Sequence, residues 1–264
     1  MKKLILLMVP VATILLLVGC GNASNKKNVK FGDIMNGDKK VSLILSSTGE
    51  GSKPSKDDAV DTFVVTENGK VTSYTSKASY YLEDLKGKSE EEIINIAKKQ
   101  DKEYFKQEKA SSLDSLKLDL SFAKEGDDVD KEEVEEKEKS IKEIENTKYT
   151  KPSPRKLEIA VTTDGSGNKT KREEFYIQGR EFTDTKYESS PKSPIKYENN
   201  KDIKDKSVAV DSGAPTTKIY NNNYAYLKNS EESDENTKYY LITKVGDKTE
   251  KSELDQPDSK YVKE

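Results

Sequence analysis

Beyond residue 19 the chain has little from which to build a hydrophobic core. Leu, Ile, Val and Phe together make up 44 of the 245 residues that follow, about 18%, which is under the roughly 20% below which disorder competes with folding. The second mark of disorder, a large net charge, is missing. The formal charge is −3 overall and −5 without residues 1–19, which carry Lys2 and Lys3. The composition therefore predicts a folded protein with a thin core and long polar loops. Fourteen tyrosines help, because each adds an apolar ring with a polar tip that can sit at the edge of a small core. Lysine and glutamate are interspersed along the whole length, with no basic stripe of the kind that nucleic-acid binding requires.

The first residues are of a different kind. Met1-Lys2-Lys3 is followed by an almost unbroken apolar run from Leu4 to Val18 that ends in small residues. That is the layout of a secretory signal peptide, and the run is shorter than the roughly 20 residues a membrane-spanning helix needs. It closes with Leu17-Val18-Gly19-Cys20, then Gly21. This segment resembles the lipobox of bacterial lipoproteins, in a style similar to those of Gram-positive bacteria. The resemblance covers only about the first 21 residues. It implies removal of residues 1–19, a diacylglyceryl anchor on Cys20, and an extracytoplasmic protein held on the cell membrane. Cys20 is also the only cysteine, and lipid attachment accounts for a thiol that would otherwise be free in an exported protein. Two acyl chains hold a protein at a bilayer where a single chain does not.

Periodicity organises the rest. Residues 20–39 carry few apolar side chains and read as the lipidated cysteine and a flexible tether. Val41, Leu43 and Leu45 alternate with polar residues as in a strand. Thr62–Thr66 and Val71–Tyr74 flank Asn68-Gly69, the strongest short-range hairpin signal. Ser89-Glu90-Glu91-Glu92 is a capping-box pattern, and the apolar residues after it predict a helix from about Glu90 to Gln107. Leu116, Leu118, Leu120 and Phe122 then alternate with polar residues, which predicts a half-buried strand. The Glu- and Lys-rich stretch up to Asn146 predicts an exposed charged helix. Pro152 and Pro154 suggest a boundary. Leu157, Ile159 and Val161 then alternate into a hairpin around Asp164-Gly165-Ser166-Gly167-Asn168, a long surface loop runs from about Thr183 to Lys206, and short strands follow at Ser207–Val210, Thr217–Tyr220, Tyr224–Leu227 and Tyr239–Thr243, with a polar loop at Ser230–Thr237 before the last. The expected fold is α+β: mainly antiparallel sheet built from hairpins, one packed helix and one exposed helix. Residues 40–150 would form an N-terminal α+β unit, and residues 151–264 a C-terminal β-rich unit.

The chain has no histidine. Catalytic triads, imidazole bases and ordinary zinc sites are thereby excluded, and a lipidated Cys20 removes thiol chemistry. Neither Asp127-Asp128-Val129-Asp130 nor the 164–168 loop continues as a calcium-binding EF-hand: glycine at the sixth position and glutamate at the twelfth are both wanting. The Gly-Ser-Gly of residues 165–167 lacks the Lys-Ser pair of a phosphate loop. No metal or cofactor is expected. Tyr220, Tyr224, Tyr226, Tyr239 and Tyr240 are the candidate partner-binding set, since exposed tyrosine faces take sugars or proteins; the alternative is that they cover the sheet. The expected function is a non-catalytic binding or interaction module at the cell surface, its partner a cell-wall polymer or a protein. A transporter's substrate-binding component and a carboxylate-based cell-wall hydrolase are the alternatives.

Overall fold

The computed structural model describes residues 23–49, 51–125, 129–177, 180–183, 196–199, 207–229 and 237–263. The elements are β1 (Asn28–Lys30), α1 (Phe31–Met35), β2 (Lys40–Ser47), β3 (Ala59–Glu67), β4 (Lys70–Thr75), α2 (Glu90–Lys124) and α3 (Lys131–Asn146). There follow β5 (Glu158–Thr163), β6 (Thr170–Tyr176), β7 (Arg180–Thr183), β8 (Lys196–Asn199), β9 (Ser207–Val210) and β10 (Ser212–Gly213). The chain ends with β11 (Thr217–Ile219), β12 (Asn222–Lys228), β13 (Lys238–Val245) and β14 (Lys251–Glu253). The fold is α+β with mostly antiparallel sheets.

The largest sheet runs in the order β10-β12-β13-β2-β3-β4, with β11 also on β12. Its centre is β2, where Val41, Leu43, Ile44 and Leu45 are all buried, because both faces of the sheet are covered. One face carries Ile44, Val64, Leu227 and Leu241 against α1 and the small sheet β5-β6-β9, which brings Ile159 and Phe175. The other face carries Leu43, Phe63, Tyr226 and Ile242 against the first turns of α2 and the 3₁₀ turn Leu82–Leu85. The β3–β4 turn is the one Asn68-Gly69 predicts: both residues have positive φ, 52° and 71°, and glycine adopts that conformation at no steric cost.

Three expectations are corrected. Residues 23–39 are not a tether. Val29, Phe31, Ile34 and Met35 are at most 3% exposed, and Phe31 meets Phe175 edge-on at 6.4 Å. Four apolar residues in a short polar stretch suffice because the rest of the chain supplies the other wall of their pocket. The segment is fastened further by hydrogen bonds from the Gly246 N–H and the Thr249 hydroxyl to the Ser24 carbonyl.

Nor does residue 115 begin a strand, since α2 continues to Lys124. Ser115–Ala123 contains no β-branched residue, and leucine and lysine favour helix. Once the Ser89–Glu92 capping box has nucleated α2, each further residue costs less than starting a strand that has no neighbour to pair with.

The third correction concerns the proline pair. β2, before it, pairs along its length with β13, after it, Ile44 opposite Leu241 and Leu43 opposite Ile242. The large sheet therefore runs through both halves of the sequence. Of the long loop expected at 183–206, β8 is a strand paired with β7; residues 184–195 and 200–206 lie outside the described residues, as does most of the loop expected at 230–237.

Candidate binding groove

β4 is the edge of the large sheet, and the chain after α3 returns along it. Arg155 and Val71 exchange both backbone hydrogen bonds, at 2.7 and 2.9 Å. The segment just before Arg155 cannot extend that ladder, because Pro152 and Pro154 have no N–H to give. It runs instead beside the start of α2 and leaves a groove of about 720 Å³. Glu91, Ile94 and Lys98, one face of α2 at helical spacing, form one wall; Val65, Thr72 and Tyr74 form the floor. Lys39, Lys70 and Lys151 complete the rim, so four lysines face two glutamates, Glu67 and Glu91.

Glu91 is hydrogen-bonded to Lys39. That bond holds the Glu91 carboxyl below and the Lys39 ammonium above their ordinary values, so the pair stays ionised. Burial, then the nearby Asp101 carboxylate, raises the Tyr74 phenol. Asp101 itself is fully buried and accepts from the Thr75 N–H at 3.1 Å and the Tyr149 hydroxyl at 2.7 Å. It ties α2 to the edge of the sheet and so fixes the groove's two walls. A second recess of about 480 Å³ lies towards Ala23 and shares Lys39 and Asn68 with the groove.

The most perturbed carboxyl lies elsewhere. Glu173, on β6, is fully buried, and burial, reinforced by Asp255, pushes it up to about 9. One of its oxygens accepts the Asp255 N–H and the other has no partner. Burial also raises Asp255, against the opposing pull of the Gly32 N–H, Lys30 and Ser259. A carboxyl kept neutral at pH 7 is what a general acid requires. Neither member of this pair, however, lines either recess.

The five candidate tyrosines do not share one exposed face. Tyr224 and Tyr226 lie on the same face of β12, and the register places Tyr240 beside them. Tyr226 and Tyr240 are buried there, edge-on at 6.0 Å, and the Tyr240 hydroxyl donates to the Gly51 carbonyl at 3.1 Å. Tyr239, next along the strand, points to the opposite side and is exposed, as is Tyr220. Tyr220 sits in the β11–β12 turn under the Lys86 ammonium, 4.6 Å from its ring centre. The alternation of β-strands thus places the buried pair in the core, as the covering alternative has it.

Asp164 caps its own hairpin turn by accepting from the Ser166 N–H and hydroxyl; Asp127 and Asp128 lie outside the described residues, as does Cys20. Among the described residues no helix is long and apolar enough to cross a membrane. The groove itself was not legible in the sequence: its lysines are scattered from Lys39 to Lys151, and only the proline pair marked the place.

Fold and groove define an α+β protein with a lysine-lined recess at a sheet edge. Compared with known proteins, the chain matches no family model, no curated protein and no solved structure.

Proposed function

We propose that the chain is a membrane-anchored extracytoplasmic lipoprotein whose folded part is a non-catalytic binding module, with the groove between α2, β4 and the proline segment as its binding site. The observation that carries this reading is the groove's make-up. Four lysines line it against two glutamates, and since Glu91 is taken up by Lys39, the remaining Lys70, Lys98 and Lys151 outweigh Glu67 over a floor of Val65, Thr72 and Tyr74. Such a recess suits an extended anionic ligand, and a phosphate-bearing cell-wall polymer has that chemistry. The carboxyl held neutral, Glu173, lies in the interior and not on the groove, which favours binding over hydrolysis. Among the described residues the strands pair antiparallel apart from β1 and β14, which gives no support to the two parallel-sheet lobes expected of a transporter's substrate-binding component.

The anchor and the groove are tested separately. Growth with radiolabelled palmitate should label the wild type and leave Cys20→Ala unlabelled and uncleaved, its apolar 4–18 segment retained; an unlabelled wild type, or a Cys20→Ala variant that is still labelled, refutes the anchor. With lipid on Cys20, Ser24 is the first buried residue among those described, so at about 3.6 Å per residue the body begins within about 14 Å of the bilayer. For the groove, the chain from Gly21 retains every packed residue described and can be titrated with a purified phosphate-bearing wall polymer and with a neutral glycan. Binding of the anionic polymer alone, lost in Lys70→Glu/Lys98→Glu/Lys151→Glu, is the expected result. Equal binding by that variant refutes the groove.

A further inference from the structure

Beyond Phe105 no side chain of α2 is buried, and the helix has two apolar stripes. At 100° per residue, residues two apart lie on nearly opposite sides, so the alternating leucines divide. Leu113, Leu116 and Leu120 fall on one side and are partly buried. Lys109, Lys117 and Lys124 fall around the same side and reach α3 and the turn after it: Lys109 donates to the Glu145 and Thr147 carbonyls, Lys117 pairs with Glu145 and Lys124 with Glu138. This side is the α2–α3 interface.

Leu118 and Phe122, one turn apart, point the other way and are 55% and 63% exposed. Single exposed apolar residues are ordinary; two large ones stacked on one helix face form a patch. Around them stand Ser111, Ser115 and Ser121 with Asp114, Asp119 and Glu125, all exposed. From Ser111 to Glu125 the only lysines are the two committed to α3. The face is therefore apolar at its centre, and the only charges that α2 itself places around it are acidic.

We propose that this face docks a basic amphipathic helix of a protein partner, its apolar side chains covering Leu118 and Phe122 and its lysines or arginines meeting Asp114, Asp119 and Glu125. The charge selects this occupant. A second copy would bring one acidic rim against another, and an anionic bilayer would be repelled in the same way. Helix-in-groove and helix-on-helix recognition use anchors at this i, i+4 spacing. The surface is separate from the lysine-lined groove and does not depend on it.

The test uses the chain from Gly21 and three fluorescent or sedimenting probes: a synthetic helical peptide with leucine on one face and lysine on the other, its leucine–glutamate counterpart, and anionic phosphatidylglycerol vesicles. Anisotropy should show saturable binding of the lysine peptide alone. Leu118→Ser/Phe122→Ser should weaken it at least about tenfold, the loss of roughly one buried apolar side chain or more. Circular dichroism should be unchanged, since both residues are exposed. Asp114→Lys/Asp119→Lys should reverse the preference towards the glutamate peptide. Undiminished lysine-peptide binding by the serine variant overturns the proposal. So does vesicle binding, or a dimer in sedimentation, that disappears with Leu118→Ser/Phe122→Ser.

Discussion

Replacing Glu173 by glutamine should change how the protein's stability depends on pH. The folded protein keeps this carboxyl protonated up to about 9 from an ordinary 4.5, because it is fully buried with one oxygen unpartnered and Asp255 beside it. The unfolded chain releases that proton near pH 4.5. Between the two values the folded state holds one proton more, so stability falls as pH rises, by about 1.4 kcal/mol per unit. From pH 5 to pH 8 the loss from this group is about 4 kcal/mol.

Asp255 is also raised by burial, and Lys30 pulls both carboxyls down. The carboxyls that fall below their ordinary values, Glu91, Glu92, Glu103, Glu138 and Asp164, act only at pH values below this window. Glu173→Gln has no proton to release and fills nearly the same volume. Urea unfolding of both proteins at pH 5, 6.5 and 8 should give curves that converge near pH 5 and separate by about 4 kcal/mol at pH 8, the variant being the more stable. Parallel curves, or a wild type that gains stability across this range, would show that Glu173 does not stay protonated in the fold.

Phe31→Ala should cost about 3–5 kcal/mol in the same unfolding assay, since it empties a fully enclosed site; a change under about 1 kcal/mol would return residues 23–39 to the status of a tether. Gly213→Ala drives a methyl into the Ser252 carbonyl where β10 passes β14, and is expected to lower stability by about 2 kcal/mol or more. Ser89→Ala removes the α2 cap, whose hydroxyl accepts the Glu92 N–H at 3.3 Å. Its cost should be about 1 kcal/mol, with helical circular dichroism largely kept.

What the sequence determined by itself was local. The Asn68-Gly69 turn, the Ser89–Glu92 cap and the alternation along β2, β5 and β12 depend on residues a few positions apart, and each could be read directly. The alternation of Leu116 to Phe122 misled because leucine spacing of two suits a strand's one face and a helix's two faces equally; the absence of valine, isoleucine and threonine there was the available signal for helix. Tertiary structure decided what depended on distant partners. Phe31 is core because Phe175 lies against it, a strand and more than a hundred residues away. Tyr226 and Tyr240 are interior because the sheet is covered on both faces. The groove's lysines meet because β4 is an edge that two prolines prevent from being fully paired. Burial is a property of both surfaces that close over a residue, and a linear pattern records only one of them.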